Sequence, residues 1–113
     1  MAILIASAMT LSTAAYTKTA NLITGRNQFL GKGRLLVLAR GSVIGMNISV
    51  SIGGVPLADD AALPFIGTTG ALSAKDHVVV DQVINGGTAE MYLRNTTANA
   101  LTTDYAVYFT PTK

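Results

Sequence analysis

The chain contains no cysteine and no tryptophan, one histidine, and six acidic residues among 113. Each scarcity removes a class of function. Without cysteine there are no disulfides, thiolate metal sites or cysteine nucleophiles, and the absence fits a cytosolic history. One histidine would leave a transition-metal cluster to carboxylates alone. Charged residues make up 12% of the chain, about half the usual globular share. The polar residues are mostly Thr, Ser and Asn, which need little desolvation to be buried against a neighbour. Low charge therefore points to a surface that is partly covered in the working state. No apolar run reaches the length of a membrane span, and no membrane partner is expected.

What is present reads as β-structure. A length of 113 residues, half of them hydrophobic, suits a single domain with its own core. Met46–Ile52 alternates, with Ile48, Val50 and Ile52 facing in and Asn47, Ser49 and Ser51 facing out. The same period sets Ala89, Met91 and Leu93 against Glu90, Tyr92 and Arg94. It also sets Tyr105, Val107 and Phe109 against Ala106, Tyr108 and Thr110. Leu35–Ala39, an apolar run between Gly33 and Gly41, reads as a buried strand. Val78–Ile84 is rich in β-branched residues.

Turn chemistry separates these runs. Asn85-Gly86-Gly87 is followed by a strand pattern, whereas an anion-binding loop needs a helix there. It reads as a tight turn joining antiparallel strands at about 75–84 and 88–95. Gly53-Gly54 turns the chain into Val55-Pro56-Leu57. Residues 58–74, with Pro64 and several glycines, read as a long connection. Asn95–Asn99 is a polar turn into a last strand near 103–110. Short strands without a long helix predict an all-β, antiparallel sandwich or barrel.

Residues 1–24 are set apart as an N-terminal arm or first strand, with the sandwich over 25–113. The opening Met1–Ala8 contains an Ala-x-Ala triplet, but no Lys or Arg precedes its short apolar run, so it does not read as a secretory signal. Ile3, Leu4 and Ile5 would form an exposed apolar patch on a free arm. They are expected to add a strand, either to their own sheet or, the favoured placement, to a neighbouring subunit.

Charge is divided along the chain. Lys18, Arg26, Lys32, Arg34 and Arg40 precede the first acid, Asp59; Asp59, Asp60, Asp76, Asp81, Glu90 and Asp104 follow, against Lys75, Arg94 and Lys113. The basic half could neutralise phosphates or meet an acidic surface on another subunit. Five spaced cations without interleaved aromatics favour the subunit, with Lys32 and Arg34 as contacts.

Signals for catalysis are absent. In Lys75-Asp76-His77, neighbouring Asp and His would point to opposite faces of a strand. Asp59-Asp60 matches no calcium loop and is expected to cap or solvate the connection after Leu57. Glu90 and Arg94 share a strand face, where a pair is worth about 0–1 kcal/mol. No nucleophile elbow, Walker motif or dinucleotide fingerprint occurs. Asn47-Ile48-Ser49 and Asn95-Thr96-Thr97 match the glycosylation sequon, a triplet common by chance. No catalytic residue, metal or cofactor is expected, and the chain does not read as an enzyme.

Gly45-Met46-Asn47-Ile48-Ser49-Val50-Ser51-Ile52-Gly53-Gly54-Val55-Pro56-Leu57, the 85–97 hairpin, and Asp104-Tyr105-Ala106-Val107-Tyr108-Phe109-Thr110-Pro111 carry a resemblance. In strand and turn style, residues 25–112 resemble phage capsid decoration (cement) proteins and small single jelly-roll virion proteins. The resemblance implies a jelly-roll-like sandwich with an extended N-terminal arm. It implies a non-enzymatic virion structural protein that binds and stabilises a capsid shell as a decoration or minor capsid component. Its partners would be the major capsid protein or other virion subunits, with homo-oligomers expected, and its place the virion, assembled in the host cytoplasm. No catalytic or binding residue is carried over. Two other readings stand beside it. One is a carbohydrate- or receptor-binding sandwich, for which Tyr16, Tyr92, Tyr105 and Tyr108 are stacking candidates. The other is a nucleic-acid binder using basic segment 18–40.

Overall fold

The computed structural model describes residues 2–41, 45–63 and 77–112. Along them run strands β1 (Ile3–Thr13), β2 (Phe29–Leu30), β3 (Gly33–Gly41), β4 (Met46–Ile52), β5 (Val55–Ala62), β6 (Val78–Ile84), β7 (Gly87–Asn95) and β8 (Leu101–Pro111). One 3₁₀ turn, Gly25–Gln28, precedes β2. All pairing is antiparallel: β1 with β8, β2 with β7, β3 with β6 and β4 with β5. Two further ladders, β3–β8 and β4–β7, complete sheets in the orders β1-β8-β3-β6 and β2-β7-β4-β5. First strand meets last, second meets next to last, and so inward to the β4–β5 hairpin. That is a long hairpin wrapped into two layers, the jelly roll. Every strand of the first half therefore lies beside a strand of the second.

The core forms where the two sheets face each other. Ile48, Val50 and Ile52, Ala89, Met91 and Leu93, and Tyr105, Val107 and Phe109 are all buried in it, as their alternation predicts. Leu35 and Val37 of β3 join them, with Ile23 from the β1–β2 connection and Leu63 from just beyond β5. A buried aliphatic side chain of this kind contributes about 1.5–3 kcal/mol.

The hairpin expected at Asn85-Gly86-Gly87 is not one. β6 belongs to one sheet and β7 to the other, so the turn carries the chain across the sandwich. Local sequence fixes that the chain turns; it does not fix which sheet the next strand joins. The glycines are needed for the approach. Gly86 and Gly87 have φ of 98° and 136°, and a Cβ on Gly87 would lie 2.9 Å from the backbone of Gly53. By contrast, Gly53-Gly54 closes a true hairpin, pairing Ile52 with Val55. Both residues have positive φ, as a two-residue primed turn requires.

Two other expectations change. Residues 58–62 continue β5 rather than opening a long connection, although β5 shifts register twice against β4; those shifts erase the alternation in the sequence. The remainder of the expected connection, 64–74, lies outside the described residues. The segment 1–24 supplies β1, whose ladder with β8 runs from Ile3↔Phe109 to Thr13↔Leu101. Strand addition is thus satisfied within the chain instead of on a neighbour, because β8 offers an edge that only an N-terminal strand can cover in this wrapping.

Residues 17–23 then follow the outer edge of β7 without forming a regular strand. Side chains replace missing backbone partners there. Asn21 Oδ1 accepts from the N–H groups of Met91 and Ile23, both at 3.0 Å, and Thr19 Oγ1 accepts from Leu93 N–H at 3.1 Å. The C-terminal end of β7, where this segment begins, is tied by Asn95, which is 1% exposed. Its Nδ2 donates to the carbonyls of Thr13 at 3.0 Å and Asn99 at 2.7 Å. Its Oδ1 accepts from the N–H and hydroxyl of Thr97. A buried amide with both donors engaged is closed to glycosylation in the folded chain.

Candidate assembly surface

The wrapping brings the basic half of the sequence against the acidic half. Arg34 of β3 donates from Nε to Asp81 Oδ1 of β6 at 2.6 Å. Arg40 of β3 stands opposite Asp104 of β8, donating to Oδ2 from Nε at 3.0 Å and from Nη2 at 2.9 Å. Hydrogen bonding to Arg34 holds the Asp81 carboxyl below its ordinary pKa and, reciprocally, raises that of Arg34. Two of the cations expected to seek an acidic partner subunit, Arg34 and Arg40, thus find acids of their own chain. A sequence-level charge asymmetry is what such cross-strand pairs need when early strands pair with late ones.

The two outer faces of the sandwich differ. On β2-β7-β4-β5 the outward residues of β4 and β7 are polar and interlinked, while Phe29 of β2, opposite Thr88, is 70% exposed. Arg94 forks onto Asp60, donating from Nε at 3.0 Å and again from Nη2. Asp60 N–H donates to Ser49 Oγ at 3.0 Å. Tyr92 donates its hydroxyl to Glu90 at 3.2 Å, and Lys18 Nζ lies 4.2 Å from the Tyr92 ring centre. Hydrogen bonding to Arg94 holds Asp60 below the usual carboxylate range. Desolvation, then the Glu90 charge, pushes the Tyr92 phenol up. The expected Glu90–Arg94 pair is absent, because four residues along a strand span about 13 Å. Asp59-Asp60 accordingly belongs to β5, where Asp60 anchors Arg94.

On β1-β8-β3-β6 the outward residues are largely apolar. Leu36 and Leu38 of β3, Ala106 and Tyr108 of β8 and Leu4 of β1 share this side of the sheet, in register across the ladders, with Leu38 and Ala106 themselves buried. Leu4 is 51% exposed and nearby Met9 60%. Two open depressions adjoin there, of about 430 and 310 Å³, and Leu38 and Tyr108 line both. Arg34–Asp81 lies on this face beside Leu36, and Arg40–Asp104 follows at its other end.

The expected contact residues are divided by this geometry. Leu4 and Arg34 reach the apolar face. Ile3 is half exposed at the strand's end, Ile5 is buried in the core, and Lys32 is exposed in the short β2–β3 turn. Leu36, Leu38 and Ala106 went unread as contacts and Tyr108 was read only as a sugar-stacking candidate, yet the signal was present. An unbroken apolar run such as Leu35–Ala39 belongs to a strand covered on both faces, and only one of those faces can be the sandwich core.

The four tyrosines form no common platform. Tyr105 is buried in the core, Tyr16 is exposed in the β1–β2 connection, and Tyr92 and Tyr108 sit on opposite outer faces. His77 is buried, its carbonyl accepting from Ala39 N–H at 3.0 Å; Lys75 and Asp76 lie outside the described residues. Among the described residues no three His, Asp or Glu side chains cluster as metal ligands, and no helix is long and apolar enough to cross a membrane. No protein-family model, curated protein or solved structure matches the chain.

Proposed function

We propose that this protein is a non-enzymatic structural component of a virion, docking on the capsid shell as a decoration or minor capsid component. The observation that carries the reading is the contrast between the outer faces. One is mostly polar and internally hydrogen-bonded, with Phe29 exposed at its β2 edge. The other carries Leu4, Leu36 and Tyr108 around a buried Leu38, and its Arg34–Asp81 and Arg40–Asp104 pairs form within the chain. An apolar patch rimmed by satisfied polar groups is the usual form of a protein-docking surface. Arg40 and Asp104 are already largely out of water in the free chain, so covering that pair adds little desolvation cost. The shell subunits, chiefly the major capsid protein, are the partners this reading names, and assembly takes place in the host cytoplasm.

The test is incorporation into particles. Antibody labelling of particles purified from cells carrying the gene should decorate the shell. A Leu36→Asp, Tyr108→Asp variant that keeps its β circular-dichroism spectrum should be lost from them. Particles that never carry the protein would overturn the proposal.

A further inference from the structure

Two four-stranded sheets leave four edges: β1 and β6 in one, β2 and β5 in the other. An exposed edge offers a row of unpaired N–H and C=O groups, and proteins usually blunt it. Three edges here are blunted. β2 is two residues long. β5 carries Pro56 and two acids, has Asp60 at φ 51°, and shifts register twice. β1 shifts register twice against β8. β6 has none of these devices over most of its length. From Val80 to Ile84 it runs in unbroken register with β3, from Val37↔Val80 to Gly33↔Ile84. That stretch holds no Pro, Gly or Lys, and its one charge, Asp81, is matched by Arg34. Among the described residues β6 pairs with β3 alone, and Asp81, Gln82 and Val83 are exposed.

We infer that β6 is a homodimerisation edge, pairing antiparallel with β6 of a second copy about a two-fold axis at Gln82. The partner is argued from self-complementarity. The regular stretch Val80–Ile84 is symmetric about Gln82. Folded on that axis, Val80 meets Ile84 of the second copy on the core side, Gln82 meets Gln82, and Asp81 meets Val83 on the outer side. Apolar residues face apolar ones, and two amides can bond each other. Each carboxylate stands opposite a valine instead of its own copy. An axis at Asp81 would set two carboxylates directly opposite, which is destabilising. The dimer is one eight-stranded sheet, and it places the two apolar outer faces side by side. This inference stands apart from the capsid reading, since it rests on the edge and not on that face.

The chain's lack of cysteine makes a direct test clean. In the dimer Gln82→Cys sets two thiols opposite each other, at a Cα separation of about 4.5–5.5 Å that suits a disulfide. Val83→Cys sets them on a diagonal of about 7–8 Å. Mild oxidation should therefore convert Gln82→Cys, and not Val83→Cys, to a covalent dimer on a non-reducing gel. In sedimentation experiments Gln82→Lys and Gln82→Glu should each weaken the dimer by about tenfold or more through like charges on the axis. Mixing the two should restore it. A wild-type chain that sediments as a monomer up to high micromolar concentration would overturn the inference. So would a dimer indifferent to both charges, or equal cross-linking of the two cysteine variants. Particle labelling tests the capsid reading independently of these results.

Discussion

Arg40 and Asp104 face each other directly across the β3–β8 ladder, and two guanidinium hydrogen bonds converge on one carboxylate oxygen, Oδ2. Their side chains are only 4% and 14% exposed. Attraction between charges so far removed from water is strong, but so is the cost of stranding either one. Asp104→Asn should destabilise the fold by about 3–5 kcal/mol, read by urea denaturation. The double variant Arg40→Met, Asp104→Leu, which removes both charges, should recover most of that loss. A single-variant loss under about 1 kcal/mol, the surface-pair range, would show that water reaches the pair.

Asn95 is the second buried polar anchor. Asn95→Asp replaces an amide that donates to two carbonyls, those of Thr13 and Asn99, with an acceptor aimed at both. Each unsatisfied buried group costs about 1–3 kcal/mol, so Asn95→Asp should lower the melting temperature more at pH 7 than Asn95→Ala. Equal effects would indicate that the carbonyls find water instead.

The glycine corner can be tested by contrast. Gly87→Ala places a methyl group 2.9 Å from Gly53 at a φ of 136° and should cost at least about 1–3 kcal/mol. A Cβ on Gly31 would meet nothing within 4 Å, and the φ of Gly31 is not positive. Gly31→Ala should be neutral or stabilise by up to about 1 kcal/mol through the unfolded chain. Thermal melts of the two variants that coincide would contradict the close approach of the two turns.

Acid should expose the surface pairs. Asp60 and Asp81 are both held below their ordinary pKa. A depressed carboxylate contributes stability above its unfolded value, near pH 4, and loses it as pH falls through the folded value. Melting temperature should therefore drop below about pH 4. The drop should be shallower in an Asp60→Asn, Asp81→Asn variant. An unchanged acid profile would place the sensitivity elsewhere.

The alternating strands were legible in the sequence because a period of two needs no tertiary knowledge. Val50 and Ser49 illustrate both the reach and the limit of that reading. Val50 is buried in the core, so Val50→Asp should prevent folding, as its alternation alone indicates. Ser49 faces outward, yet its hydroxyl accepts from Asp60, so a carboxylate there crowds the Asp60–Arg94 pair. That neighbour comes from a bulged edge strand whose pattern carried no period. Sheet membership was equally hidden. Asn85-Gly86-Gly87 announces a turn in either case, and only the wrapping of the whole chain makes it a crossing between sheets. The apolar face was half legible: Leu36 and Leu38 were visible as a run, but Ala106 and Tyr108 became part of it only through the β3–β8 register.

The N-terminal strand gives the sharpest separation between an appended arm and an integral one. A dispensable arm could be removed without loss of β-structure. In the fold, residues 3–8 pair with Tyr105–Phe109 of β8, and Ile5 is buried in the core. Deleting residues 1–9 would uncover the β8 edge over Tyr105–Phe109 and open the core beside Val107 and Phe109. The truncated chain should lose its cooperative thermal transition and aggregate, because a long uncovered edge is a template for pairing with other chains. Point changes separate that loss from a docking effect. Ile5→Asp should reproduce the unfolding, whereas Leu4→Asp, on the outer face, should leave the melting temperature within a few degrees. A truncated chain that still melts cooperatively near the wild-type temperature would mean that β1 lies on the sandwich without supporting it.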